Sequence, residues 1–142
     1  MPDILDLTPS DYRALGAFRY QIRRFLNFSE EAAKKEGIEP QQHQMLLAIR
    51  ALEDPSGAPS VGQLAQNLFI RHHSAVGLLD RLAERGLVER SRGTADRRQV
   101  QIRLTAAGGQ ALRRLSWIHR EELRQSAPHL VDILRTLLER AA

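Results

Sequence analysis

Arginine is concentrated in one stretch of this sequence. Eight arginines lie between positions 71 and 103: Arg71, Arg81, Arg85, Arg90, Arg92, Arg97, Arg98 and Arg103. The stretch also holds four acids, so its net charge of +4 equals that of the whole 142-residue chain. A guanidinium group donates hydrogen bonds in a planar fork that fits phosphates and base edges. The stretch therefore favours nucleic-acid binding, with a solvated arginine-rich surface as the alternative.

Histidine is the other residue type that could do chemistry here. His72 and His73 are adjacent, and neighbours on a helix point about 100° apart, so they do not converge on one metal ion. The chain has no cysteine, which excludes disulfides, thiolate ligands and cysteine nucleophiles. It also shows no phosphate-binding loop, paired-acid motif or nucleophile elbow. We predict no catalytic residue, no metal site and no cofactor.

The composition is that of a globular domain, with 42% hydrophobic and 27% charged residues. No apolar run approaches the ~18 residues that a membrane span needs. Asp3 and Asp6 place acid where a signal peptide carries base. We therefore expect one cytoplasmic domain, residues 1–142, without a membrane partner.

Two short helices are predicted around the start of the arginine-rich stretch. Ser60 and Gln63 form a capping-box pattern that opens the first helix. The second carries apolar residues at helical spacing and ends at a glycine: Ala75, Leu78, Leu79, Leu82 and Gly86. Two short helices with a brief connection are typical of a helix-turn-helix.

The hydrophobic period changes to two after this pair of helices. Val100, Ile102 and Leu104 alternate with polar residues, which predicts a half-buried strand. Residues 87–90 are its expected antiparallel partner, and residues 93–96 supply the turn. A β-hairpin, or wing, is therefore predicted directly after the helix-turn-helix.

Amphipathic helices are predicted at both ends of the chain. The first spans residues 10–37, with Ser10 as its N-cap and Gly37 as its stop, and a second begins at Pro40. After the wing, Thr105 caps a fifth helix and Pro128 starts a sixth, within residues 106–142. The expected fold is mainly α with a small β-hairpin. Because its middle elements form a closed unit, the apolar stripes at the two ends need a partner. They could fold back on their own chain, but pairing between two chains is the favoured interpretation.

Two segments carry a resemblance to a known family. Residues 96–105 read Asp-Arg-Arg-Gln-Val-Gln-Ile-Arg-Leu-Thr, and residues 79–90 read Leu-Asp-Arg-Leu-Ala-Glu-Arg-Gly-Leu-Val-Glu-Arg. They resemble the wing signature Asp-x-Arg-x5-Leu-Thr and the end of the recognition helix in the MarR family of bacterial transcription regulators. The resemblance covers nearly the whole chain. It implies a winged helix-turn-helix at residues 38–105, flanked by dimerisation helices at residues 10–37 and 106–142.

The resemblance further implies a homodimer that binds double-stranded DNA, with the fourth helix in the major groove and a wing arginine in the minor groove. Arg98 holds the wing-arginine position, and Asp96 is expected to orient it. Asp96 could instead be a plain turn residue, and Arg97 a solvated neighbour of the contact. The candidate DNA contacts are Arg71, His72, His73, Ser74, Gly77, Arg81, Arg92, Asp96, Arg97 and Arg98.

The start of the recognition helix departs from the family's commoner pattern. A hydroxyl cap, a proline and small residues are usual there, whereas residues 71–74 read Arg-His-His-Ser. Gly77 also stands where a polar or basic residue is common. Because the first turn of this helix faces phosphates and base edges, the departure changes the expected target sequence and not the DNA-binding role.

A small-molecule effector is a further implication of the resemblance. Members often bind small aromatic or phenolic anions where the dimer helices meet the winged region, and the candidates here are Tyr12, Arg19, Tyr20 and Trp117. The alternative is that these aromatics are core or dimer contacts. Some relatives also hold zinc with carboxylate and histidine ligands, so His43 with Glu39 stays open as an alternative to the absence of a metal site.

The leading interpretation is a homodimeric repressor that binds palindromic operators and is either relieved by a small aromatic ligand or binds DNA without responding to one. The alternative is a winged-helix module that binds proteins and not DNA. The arginines of residues 71–103 argue against that alternative, because a protein-docking wing does not need Arg98.

Overall fold

The computed structural model describes residues 5–92 and 99–139, which form five helices and one two-stranded antiparallel sheet. In chain order the elements are α1 (Pro9–Lys35), α2 (Pro40–Leu52), α3 (Val61–Leu68), α4 (His72–Glu84), β1 (Val88–Arg92), β2 (Val100–Leu104) and α5 (Ala106–Glu139). The prediction of a mainly helical fold with a hairpin after a helix-turn-helix is confirmed. No helix in these ranges is long and apolar enough to cross a membrane.

The chain divides into two compact units. The central unit, Ala32–Trp117, contains α2, α3, α4 and the hairpin, with the adjoining ends of α1 and α5. The terminal unit comprises Met1–Glu31 and Ile118–Ala142.

The core of the central unit draws on every element within it. Its fully buried large side chains are Met45, Leu46, Ile49, Leu64, Leu79, Leu82, Ile102 and Leu115. The four residues of α4 that were predicted to face inward, Ala75, Leu78, Leu79 and Leu82, are all buried. The apolar face of α4 is therefore fixed, and its opposite face is free for another partner.

The hairpin is attached to the segment that precedes α3. Val88 pairs with Leu104 and Arg92 with Val100, so the partner strand is antiparallel as predicted but extends two residues past the expected residues 87–90. The backbone N–H of Ile102 donates to the carbonyl of Pro59 at 2.9 Å. Ile102, at the centre of β2, is fully buried and Leu104 is half-buried, whereas Val100 is exposed, so the inward face of the strand does not include its first residue.

Helices α1 and α4 end at the two glycines that the sequence predicts as helix stops. Gly37 has φ 73° and Gly86 has φ 71°, a conformation that glycine adopts without a steric cost. After α4, the N–H of Gly86 donates to Ala83 O and that of Leu87 donates to Leu82 O, which is a Schellman motif.

The start of α1 differs from the prediction. Thr8, and not Ser10, precedes the helix: its backbone N–H donates to Asp11 Oδ2 at 2.8 Å, and Pro9 occupies the first helical position. Pro at that position loses no helical hydrogen bond, since the first N–H groups have no partner in the helix. Ser10 therefore lies inside the first turn.

The prediction of a sixth helix is wrong. Pro128 lies inside the 34-residue helix α5, which continues through it. A proline in a helix interior costs about 3 kcal/mol. The flanking residues, from Glu121 to Ala127 and from Leu130 to Leu138, include no glycine and many strong helix formers, so the helix tolerates this cost.

The terminal unit has a small core of its own. His119 is buried, with Nε2 2.8 Å from Ser29 Oγ. The rings of Phe25 and Phe28 meet the imidazole edge-on, with centroids 5.8 and 5.6 Å away. Such edge-to-face contacts stabilise aromatic clusters beyond simple burial.

Candidate nucleic-acid interface

The exposed face of α4 lies opposite its buried face. His73, Gly77 and Arg81 follow one another at four-residue steps, which places them in one row on a helix. His73 and Arg81 are exposed, and Gly77 is half-buried. The row is therefore presented outward by a helix that the core holds from behind.

The first turn of α4 is also exposed. Arg71 is the N-cap residue, and its side chain makes no capping hydrogen bond. His72, His73 and Ser74 follow it, all exposed. The N–H groups of the first turn have no partner within a helix, and the positive end of the helix dipole lies there. The N–H groups at this end of the helix can donate hydrogen bonds to a phosphate oxygen.

The guanidinium of Arg81 lies beside Gly77 on the surface of α4. A Cβ at position 77 would lie 3.7 Å from Arg81 Nη1. The Arg81 side chain therefore lies back over the helix surface at Gly77. The row on α4 therefore presents a planar cationic group beside a position without a side chain.

Two of the arginines counted in the sequence, Arg85 and Arg90, have side-chain partners, and a third, Arg103, lies opposite an acidic residue in the register of the hairpin. Arg85 donates from Nη1 to Gln42 Oε1 at 2.7 Å and from Nη2 to the carbonyl of Gly37 at 2.9 Å. Arg90 forms an ion pair with Asp80 of α4. Arg103 faces Glu89 across the hairpin.

Other arginines remain available to a ligand. Within the described residues, Arg71, Arg81 and Arg92 make no ion pair and no side-chain hydrogen bond. All three are exposed. Charge counting in the sequence could not separate these arginines from Arg85 and Arg90, whose partners come from other elements.

The wing carries the rest of the predicted contacts. Arg92 ends β1, where it pairs with Val100. Asp96, Arg97 and Arg98, with the predicted turn at residues 93–96, lie outside the described residues.

The predicted effector residues are divided between the two units. Tyr12, Arg19 and Tyr20 lie on α1 in the terminal unit, and all are exposed. Trp117 is the last residue of the central unit and is 64% exposed.

His43 and Glu39, the alternative metal ligands, lie at the start of α2. His43 is buried, and the N–H of Glu39 donates to Gln42 Oε1 at 3.2 Å. Among the described residues no group of three histidine, aspartate or glutamate side chains is arranged to hold a metal ion.

The central unit contains a cavity that the sequence did not indicate. It has a volume of about 790 Å³ and is lined by Arg50, Leu104, Thr105, Ala106, Gly109, Gln110, Leu112, Arg113 and Ser116. Two guanidinium groups, two hydroxyls and an amide line it, which suits an organic anion. Arg50 also donates to Glu53 at 3.0 Å, so its charge is partly neutralised.

The helices α3 and α4 form a helix-turn-helix, and α4 has an exposed cationic face. An antiparallel hairpin follows it, so the fold is that of a winged helix-turn-helix protein. A family model described as the MarR family matches residues 36–99. The HTH-type transcriptional repressor MdtR of Bacillus subtilis (strain 168) is 28% identical over 109 residues, which are 68% of each chain. A transcriptional regulatory protein for the hcr operon of Thauera aromatica is 31% identical over 99 residues, which cover 68% of this chain and 56% of that protein.

Solved structures share the fold. A variant of S. aureus MepR bound to an oligodeoxyribonucleotide has a TM-score of 0.65 and 20% identity, covering 93% of this chain and 99% of its own. CouR from Rhodococcus jostii RHA1 bound to p-coumaroyl-CoA has a TM-score of 0.69 and 20% identity, covering 87% of both chains. The MarR family model thus matches the winged helix-turn-helix region of this chain, and the solved structures share its fold along most of its length.

Proposed function

We propose that this protein is a cytoplasmic, homodimeric transcription repressor that binds palindromic DNA operators, and that it is not an enzyme. The observation that carries the proposal is the exposed, cationic and uncapped start of α4. An α-helix fits the major groove, where each base pair has its own pattern of donors and acceptors.

The residues of α4 divide into two roles. The first-turn N–H groups and Arg71 bind phosphates, which fixes the position of the helix on the duplex. His73 and Arg81, in the outward row, reach base edges, where arginine pairs with the O6 and N7 atoms of guanine. Gly77 allows the helix to approach closely. His72 and Ser74 flank this row and contact the backbone.

The wing supplies the minor-groove contacts in this proposal. Arg92 is exposed at the end of β1. In this proposal it contacts the DNA next to the groove that α4 enters. Arg98 enters the minor groove with Asp96 orienting its guanidinium, and Arg97 binds a neighbouring phosphate. The family wing signature at residues 96–105 supports these three assignments.

A second copy of the chain completes the molecule. In the terminal unit, α1 leaves Leu15, Ile22 and Leu26 exposed. The end of α5 exposes Val131, Leu134 and Leu138 at helical spacing. Contiguous apolar stripes of this kind are covered by a partner in soluble proteins. A dimer also presents two copies of α4, which is why a palindromic operator is expected.

The relatives support the proposed role. MdtR of B. subtilis is a transcriptional repressor by name, and the MepR variant was solved with an oligodeoxyribonucleotide. The alternative, a winged-helix module that binds proteins only, does not explain why Arg71, Arg81 and Arg92 are exposed without ionic partners in the described part of the chain.

The deciding experiment is selection of bound sequences from random duplex DNA at a stated salt concentration. We expect enrichment of one palindrome whose half-sites lie about one helical turn apart. Arg81→Ala should bind the selected palindrome more weakly, whereas Arg13→Ala on α1 should bind it as the parent does. If no sequence is enriched and the protein instead retains a protein partner, the interaction module replaces the repressor.

We also propose a small aromatic carboxylate as the effector. The cavity bordered by Arg50 and Arg113 favours an anion, and CouR was solved with a CoA thioester of an aromatic acid. Tyr12, Arg19, Tyr20 and Trp117, the effector residues expected from the sequence, remain a separate set of candidate contacts. Calorimetry with 4-hydroxybenzoate, and with benzyl alcohol as the uncharged control, tests the proposal. Binding of the acid should be lost in Arg113→Ala, and equal binding by Arg113→Ala would exclude the cavity.

A further inference from the structure

The turn between α3 and α4 contains a phenylalanine in a left-handed conformation. Phe69 has φ 55° and ψ 41°. Its N–H donates to Gln66 O at 3.2 Å, and the N–H of Ile70 donates to Ala65 O at 3.0 Å. These two bonds form the Schellman motif that ends α3, so the backbone of Phe69 is held in this conformation.

The chain uses glycine at the equivalent position of two other helices. Gly37 after α1 and Gly86 after α4 close the same motif, with φ 73° and 71°. Among the residues that the structure describes, Phe69 is the sole non-glycine residue with positive φ. A bulky side chain is an outlier in this region, because its Cβ crowds the following carbonyl oxygen.

The phenyl ring does not offset this strain within the chain, because it is 95% exposed. Its two neighbours behave differently. Leu68 and Ile70 are half-buried, and both line a small cavity together with Ser74 and Leu78 of α4. The motif therefore turns Leu68 and Ile70 inward and Phe69 outward. A strained residue without internal contacts indicates a role outside the fold.

The surroundings of Phe69 identify its partner. Arg71 follows two residues later, so their Cα atoms lie at most about 7 Å apart. Arg71, His72 and His73 are all exposed. An aromatic ring beside cationic groups at the start of a recognition helix matches a polyanion that also has apolar surfaces. Duplex DNA provides these surfaces as the thymine 5-methyl group and the deoxyribose face.

We propose that Phe69 is an apolar DNA contact that packs on a thymine methyl or a deoxyribose at the edge of the groove that α4 enters. The inference rests on the proposed DNA-binding function. The ring loses its exposure only in the complex, so its burial strengthens DNA binding and contributes nothing to the stability of the free protein.

Two substitutions separate binding from folding. Phe69→Asn and Phe69→Gly remove the ring and accept the left-handed backbone. We expect an unchanged or higher melting temperature in both variants, and a selected palindrome bound roughly tenfold more weakly, the scale of partly burying one phenyl ring. Phe69→Leu retains an apolar side chain and should bind nearly as the parent does. Leu47→Gln removes another exposed apolar side chain, on α2, and should leave DNA affinity unchanged.

Salt and base analogues identify the surface that the ring touches. An apolar contact leaves the slope of log affinity against log salt unchanged, whereas Arg71→Ala should lower the slope by about one. Uracil in place of thymine weakens the parent and not Phe69→Asn if the methyl group is the partner. If uracil has no effect while Phe69→Asn still binds weakly, the partner is the deoxyribose.

The outcomes are distinguishable. If the parent binds no duplex at low salt, the proposed function fails and the inference fails with it. If the parent binds a palindrome and Phe69→Asn binds it equally, the inference alone is overturned. A melting temperature several degrees lower in both Phe69→Asn and Phe69→Gly would also overturn it, since the ring would then stabilise the fold.

Discussion

Gly108, in the first turn of α5, lies directly against the backbone carbonyl of Leu87: a Cβ on Gly108 would be 2.0 Å from that oxygen. The same oxygen accepts the N–H of Thr105 at 3.1 Å. The Thr105 hydroxyl donates to Gly86 O at 2.6 Å and accepts the N–H of Gly108 at 3.1 Å. The end of the recognition helix, the start of the wing and the start of α5 are thus joined at one point.

We expect Gly108→Ala to destabilise the fold by about 3 kcal/mol or more, the upper range for overpacking, because the obstructing atom is backbone and cannot rotate away. Urea unfolding followed by circular dichroism measures this. Gly62→Ala in α3 is the control, since a Cβ there meets nothing closer than Ser60 Oγ at 3.9 Å. Equal stability of both variants would contradict the contact at Leu87.

Arg81 and Arg85 should have opposite effects when replaced by alanine. Arg85→Ala removes a donor to the buried Oε1 of Gln42 and should lower the free energy of unfolding by roughly 1–3 kcal/mol. Arg81→Ala should leave stability unchanged and cost roughly 1–3 kcal/mol of operator affinity. Thermal melts and DNA titrations of both variants test the pair. Loss of affinity in a stably folded Arg85→Ala alone would reverse the assignments.

The exposed leucines at the end of α5 should hold the dimer together. Replacing Leu134 and Leu138 with aspartate should break or unfold the dimer and abolish operator binding, because two carboxylates cannot be buried in an apolar interface. Sedimentation measures the oligomeric state. Thr136→Asp, at another exposed position of the same helix, is the matched control. A micromolar monomer that still binds a palindrome tightly would refute this role.

DNA affinity should fall steeply with salt, because binding releases the counterions that the phosphates hold. If a dimer neutralises on the order of six to ten phosphates, affinity should decrease roughly 10³- to 10⁵-fold between 50 and 200 mM salt. Titrations of labelled operator across this range give the slope. Affinity that does not change with salt would remove the arginine-rich stretch from the interface.

Arg98→Ala tests the wing. We expect the fold and the dimer to persist within about 0.5 kcal/mol, while operator affinity falls by roughly 1–3 kcal/mol. Asp96→Ala should cost less, since it loosens only the orientation of the arginine. Arg13→Ala, outside the arginine-rich stretch, serves as the control. A dimeric Arg98→Ala that binds operator as the parent does would show that this wing does not read DNA.

Much of the fold could be predicted from local sequence. The capping box of Ser60 and Gln63 is present, with hydrogen bonds of 2.9 and 3.2 Å. The glycine stops at Gly37 and Gly86 are also present. Caps and stops depend on atoms within about one helical turn, and strand alternation depends on period alone. Such features are therefore readable from neighbouring residues.

The candidate site could be predicted only in part. The sequence placed His73, Gly77 and Arg81 on the second helix of the helix-turn-helix, because helical spacing alone assigns them to its outward row. The sequence could not show that Arg85 donates a hydrogen bond to Gln42, which lies 43 residues earlier. Nor could it bring Arg50 of α2 and Arg113 of α5 to one cavity.

The sequence by itself determined the element types and the buried face of α4, and it carried the family resemblance, since these follow from residue spacing and short motifs. Only the tertiary structure decided which arginines of residues 5–92 and 99–139 lack an ionic partner, where the cavity lies, and that Phe69 adopts a left-handed conformation. It also decided that α5 continues through Pro128. These outcomes depend on contacts between distant segments and on competing backbone energies, which no local pattern encodes.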